Sequence, residues 1–120
     1  METVKIKATG TTLTPALTEY VEQKLGRAVL VKVVPEDKIQ SVEVEIGKFI
    51  KQNHGDVFRA EINLIVDGKD YYVETVAEDL YAAIDMLKDE ILQTLNNQKH
   101  KQESIWKKGA RKIKQMLKRG

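Results

Sequence analysis

The chain contains no cysteine. That excludes a disulfide framework, a thiol nucleophile and any cysteine-held zinc or iron–sulfur site. Its two histidines, His54 and His100, are too few for an all-histidine metal site. No apolar run approaches the ~20 residues needed to span a bilayer. The longest aliphatic stretch is Ala28-Val29-Leu30-Val31. The opening residues, METVKIKATG, alternate apolar and charged side chains and lack the apolar centre of a signal peptide. No nucleophile–base set, phosphate loop or metal cluster is visible, so neither enzymatic activity nor a cofactor is expected. A soluble, cytoplasmic protein is the expectation.

What is present is an uneven distribution of charge. The 120 residues make one domain's worth of chain, with a net charge of only +2. Residues 1–98 carry 11 Lys+Arg against 17 Asp+Glu, a net of −6. Residues 99–120 carry nine Lys+Arg against one acid, Glu103, a net of +8. An acidic body with a basic end points to a polyanionic partner, nucleic acid first and an anionic membrane second. A merely solvating tail is the alternative.

Apolar periodicity divides the body into elements. Residues 2–9 alternate, with Val4, Ile6 and Ala8 on one face, as in a half-buried strand. Thr14-Pro15 then starts a helix, Thr14 as cap and Pro15 at the first helical position. Leu17, Tyr20, Val21, Leu25 and Ala28 form its stripe; it is expected to contain Gly26 and to end before Pro35. Alternation returns at Ile39, and Val42, Val44 and Ile46 point one way. A breaker-rich loop, Lys51 to Asp56, leads to a third strand over about Val57–Val66. Asp67-Gly68 is a hairpin signal, and the fourth strand runs from Tyr71 to about Ala77. Asp79 caps a second helix whose stripe is Leu80, Ile84, Leu87, Ile91 and Leu95. The expected fold is α+β, a single β-α-β-β-β-α domain. It has a four-stranded mixed sheet with both helices on one face, in the manner of a double-stranded-RNA-binding domain. The first helix permits a parallel right-handed crossover, and the short later connections require antiparallel pairing. Glu43, Glu45, Glu61 and Glu74 fall on the other sheet face, which offers no pocket for acid–base catalysis.

Residues 104–120 read SIWKKGARKIKQMLKRG. As a helix, Trp106, Ala110, Ile113 and Leu117 would form one apolar edge. Lys107, Lys108, Arg111, Lys112, Lys114, Lys118 and Arg119 would fill the remaining surface, and Gly109 is a candidate hinge. Such an amphipath can lie along phosphates, lie on an anionic membrane, or dock on its own domain. The expected division is a domain over 1–103 and a basic tail over 104–120.

Two segments resemble a known family. Glu78-Asp79-Leu80-Tyr81-Ala82-Ala83-Ile84-Asp85 is similar to the E-D-M-Y-A-A-I-D signature of bacterial ribosome hibernation-promoting factors and ribosome-associated inhibitors, also called sigma-54 modulation proteins. Tyr20-Val21-Glu22-Gln23-Lys24-Leu25 resembles their Y-V-E-x-K-L. The likeness covers about residues 2–101, in the family's element order. It implies a non-enzymatic factor that binds the small ribosomal subunit, within the 70S ribosome, in the channel of messenger and transfer RNA. There it would inhibit translation in idle, stressed or stationary cells. It further implies RNA contacts at Lys24, Arg27, Lys99 and Lys101. The family's Lys, Arg and Lys on the second helix are replaced here by Glu90, Gln93 and Asn97. The cations from Lys107 to Arg119 are expected to supply the missing charge. With 17 residues after Glu103, the long form's dimerisation domain has no room. A short form, monomeric off the ribosome, is therefore expected. The competing readings are a free-standing module for structured RNA and a membrane- or protein-docking adaptor acting through the tail.

Overall fold

In the computed structural model, residues 4–51 and 55–119 are described, from residue 100 onward as backbone alone. The order is β1 (Lys5–Thr9), α1 (Pro15–Leu25), α2 (Arg27–Leu30), a 3-10 turn (Glu36–Lys38), β2 (Ile39–Lys51), β3 (Gly55–Val66), β4 (Lys69–Ala77) and α3 (Leu80–Arg119). The strands form one sheet in the order β1-β2-β3-β4. β1 runs parallel to β2, and β2–β3 and β3–β4 are antiparallel. This is the expected α+β architecture. The Gln52-Asn53-His54 loop lies outside the described residues.

Local chemistry sets the boundaries. The Thr14 side chain accepts from the Leu17 N–H at 3.1 Å, and Pro15 opens α1. Asp67 and Gly68 take φ of 51° and 78°, the two positive values that a tight primed hairpin turn requires. Asp79 Oδ1 accepts from the Tyr81 N–H at 3.1 Å at the start of α3.

One expectation needs correction. The first helix does not continue towards Pro35. It stops at Gly26, whose backbone is extended (φ −71°, ψ 169°), and a four-residue helix restarts at Arg27. The backbone at this break has room only for glycine: a Cβ at position 26 would lie 2.3 Å from the Glu22 carbonyl oxygen. The break rotates α2 relative to α1, so Leu30 is buried and Ala28 is exposed. The structure also extends α3 beyond its stripe. Asn96-Asn97-Gln98 ends its apolar stripe but not its backbone, which runs on to Arg119 through Gly109. No proline follows, and the sequence beyond Leu95 is rich in Lys, Gln and other good helix formers.

The core lies between one sheet face and the helices. Leu17, Val21 and Leu25 of α1 meet Ile84, Leu87 and Ile91 of α3 over Val44, Ile46, Ile62 and Leu64. Leu95 is the last buried residue among the described side chains of α3. Thr75, the buried polar residue, donates to the Ala83 carbonyl at 2.7 Å and ties β4 to α3.

Candidate nucleic-acid interface

The two sheet faces differ in what they offer a polyanion. On the helix-free face the register aligns Lys7, Glu45, Glu61 and Glu74 in one row, and Lys5, Glu43, Asn63 and Tyr72 in the next. Arg59 pairs with Glu61 and lies 3.6 Å from Glu74. The Tyr72 hydroxyl donates to Glu61, with Glu74 at 3.0 Å. Burial pushes Glu61 upward, but hydrogen bonds from Tyr72 and Arg59 outweigh it and hold the carboxyl below the usual range. The same bond to Glu61 pushes the Tyr72 phenol up to about 12. A carboxylate held ionised and a phenol held protonated are poor proton carriers at neutral pH. Among the described residues the face sets five carboxylates, Asp70 included, against three cations, and it repels phosphate more than it attracts it.

The helix side carries the residues expected to meet RNA. Where α1 crosses α3, Tyr20 and Lys24 face Tyr81 and Asp85. The Tyr20 hydroxyl donates to Asp85 Oδ1 at 2.6 Å. The Tyr20 and Tyr81 rings meet edge to face, with centroids 4.8 Å apart. Lys24 Nζ lies 3.7 Å from Asp85 Oδ1 and 5.4 Å from the Tyr20 ring centroid. The Asp85 hydrogen bond, then burial, pushes the Tyr20 phenol up to about 12. Tyr81 and Asp85 therefore act in joining the helices. The Lys24 side chain is only 33% exposed, and Asp85 offsets part of its field. Sequence reasoning places Lys24 beside the apolar stripe, exposed on the helix. It missed this partner, 61 residues away along the chain (85 − 24).

The other expected residues sit as follows. Arg27 opens α2, half-buried, immediately after the Gly26 break. Lys99 is exposed on α3. Lys101, Lys107, Lys108, Arg111, Lys112, Lys114, Lys118 and Arg119 continue along the α3 backbone, and their side chains lie outside the described ones. Glu90, Gln93 and Asn97, where the family has cations, are all exposed. Residues 80–98 hold Lys88 against Asp85, Asp89 and Glu90, a net of −2 (1 − 3). The surface of α3 over the core is thus acidic, and its excess of cations begins at Lys99. Among the described residues no group of His, Asp or Glu could hold a metal. None of the described helices is long and apolar enough to cross a membrane.

An open sheet backed by helices, with paired charge on one face and cations on the helix side, is the frame of a binding factor. The chain belongs to the family described as sigma 54 modulation protein / S30EA ribosomal protein, which matches residues 4–103. Its members are ribosome-binding factors that regulate translation, not enzymes. Among solved structures, the chain is similar to the N-terminal domain of Thermus thermophilus Protein Y. That match has 28% identity and a TM-score of 0.55, over 78% of this chain and 97% of that one. It also shares its fold with a ribosomal subunit interface protein from Coxiella burnetii, at 20% identity and a TM-score of 0.64. That likeness covers 81% of this chain and 97% of that one. A search of curated proteins returns no match.

Proposed function

We propose that this chain is a hibernation factor. It binds the small ribosomal subunit in the channel that carries messenger RNA and transfer RNA, and it holds idle ribosomes inactive. The observation that carries this reading is the family match across residues 4–103, which spans the whole sheet and the α1–α3 crossing. Charge supports the orientation. The helix-free face is self-paired, so phosphate meets the helix side, through Lys24, Arg27 and Lys99 and then Lys101 to Arg119. The action is steric: a folded domain occupies the RNA path, and phosphate neutralisation holds it there. One copy acts alone, in the cytoplasm.

The test is sedimentation of the pure protein with isolated small and large subunits. Binding to small subunits is expected to be lost in high salt and on adding messenger RNA with transfer RNA. Lys24→Glu is expected to weaken binding with the fold intact, because the residue is part-exposed and outside the core. Preference for the large subunit, or indifference to messenger and transfer RNA, would overturn the channel assignment.

A further inference from the structure

A groove lies where the segment after α2, the β3–β4 hairpin and the middle of α3 meet, with a volume of about 520 Å³. That is within the range of small-molecule sites, roughly 300–1,000 Å³. Four lysines from four separate segments line it. Lys32 follows α2, Lys38 ends the 3-10 turn, Lys69 opens β4 and Lys99 lies on α3. All four are exposed. Asp67 is the one carboxylate in the lining, 3.9 Å from Lys38 Nζ. Four cations to one acid is the reverse of the body's balance of 11 to 17 over residues 1–98. Like charges brought together repel, and an anion in the groove relieves that repulsion. Between the lysines the surface is apolar. Val31 is 38% exposed, Val33, Val34 and Tyr71 are half-buried, and Leu95 closes the base.

We propose that this groove seats a phosphorylated nucleotide, its base against Val31, Val34 and Tyr71 and its phosphate among Lys32, Lys38, Lys69 and Lys99. Inorganic phosphate would satisfy the rim and leave the apolar surface wet. A carboxylate side chain brings a single charge to four lysines and no flat ring to the Tyr71 side. A nucleotide matches both, and base stacking on an aromatic adds roughly 1–3 kcal/mol. The same chemistry has two sources: a free nucleotide, or one unit of an RNA strand. Neither Lys24 nor Arg27 lines the groove, so this site is separate from them.

The experiment titrates the full chain with ATP, with a short single-stranded oligouridylate and with inorganic phosphate. ATP or the oligouridylate is expected to bind more tightly than inorganic phosphate. The double variant Lys32→Gln/Lys69→Gln is expected to weaken that binding by about tenfold or more, with an unchanged Tm. Val31→Ser is expected to weaken ATP and oligouridylate and to leave inorganic phosphate alone. Asp67→Asn keeps a residue that tolerates positive φ, and it is expected to tighten all three. ATP binding more tightly than the oligouridylate identifies the free nucleotide as the source, and the reverse order identifies the strand. The proposal is overturned if inorganic phosphate binds as tightly as ATP and the oligouridylate. It also fails if the double variant binds like the parent. No ribosome enters the titration, so its outcome is independent of the sedimentation result.

Discussion

Gly26→Ala sets two effects of opposite sign against each other. By intrinsic propensity, alanine beside a helix end should help. It narrows the unfolded ensemble and stabilises by about 0.4–1 kcal/mol where the native backbone accepts it. The backbone here does accept it, since φ −71° and ψ 169° are open to any residue. The obstacle is steric. The new Cβ would stand 2.3 Å from the Glu22 carbonyl oxygen, 0.7 Å inside the 3.0 Å floor (3.0 − 2.3). That oxygen also accepts the Gly26 N–H at 3.0 Å, so relief must stretch the bond that closes α1. Overpacking of this kind costs about 1–3 kcal/mol, and a weakened hydrogen bond up to ~1 kcal/mol more. The net is a loss of about 1–3 kcal/mol. For a chain between the small and mid-sized classes, roughly 3–6 °C accompanies each kcal/mol. Thermal unfolding followed by circular dichroism should show Tm lower by roughly 5–10 °C. Arg27 follows the break directly, so affinity for small subunits should also fall. A Tm equal to or above that of the parent would show that the break is not enforced by this contact.

Deleting residues 105–120 removes seven Lys+Arg and no acid. Affinity for small subunits should drop and the slope of log affinity against log salt should flatten, by roughly 0.7–0.9 for each phosphate no longer neutralised. Tm should hardly move, because the core stripe of α3 ends at Leu95; a large fall would mean that the tail packs on the domain. In alkali, Tyr20 and Tyr72, raised from 10 to about 12, keep their protons after the unfolded chain has lost its own. Their contribution is therefore complete below pH 10 and lost as pH rises towards about 12. Phenolate absorbance should show two late-titrating tyrosines, and one in Tyr20→Phe. Glu61 has the opposite sign. Its carboxyl is held below 4.5, so the stability it contributes above that pH is lost as pH falls through the lowered value. Denaturant midpoints measured across acid pH should fall less steeply in Glu61→Gln.

Elements with a short period and a local stop signal were legible in the sequence. Val42, Val44 and Ile46 alternate because a sheet residue sees the core on every second position, and the structure buries all three. Asp67-Gly68 and Thr14-Pro15 act within three or four residues of themselves, and both do what their chemistry dictates. Gly26 was not legible, because the periodicity through Ala28 is compatible with an unbroken helix. The backbone there leaves room only for glycine, a constraint that no pattern of apolar residues encodes. Helix length was hidden for a related reason: an apolar stripe measures the packed part of a helix, and α3 continues past its packed part. The site suffered most. Asp85 could be read as complementing the start of its helix, yet its partners Tyr20 and Lys24 lie on α1. The four lysines of the groove come from four segments and share no motif.

This arrangement separates the work of folding from the work of binding. The α1–α3 crossing holds Lys24 against Asp85, so a phosphate that approaches Lys24 competes with a carboxylate already 3.7 Å away. In the proposed function Lys24 is therefore a weaker phosphate contact than an exposed lysine would be, because Asp85 already offsets part of its charge. Over the core, α3 adds no compensating charge, since residues 80–98 are net negative. The unopposed excess of cations, nine against Glu103, begins at Lys99, four residues past the last core side chain described on α3 (99 − 95). That excess lies beyond the last described core residue of the helix. A family domain that lacks cations at Glu90, Gln93 and Asn97 can in this way keep its grip on RNA by moving the charge along the same helix. In the proposed function the fold below Leu95 sets where the domain sits, and the helix beyond it sets how tightly it is held.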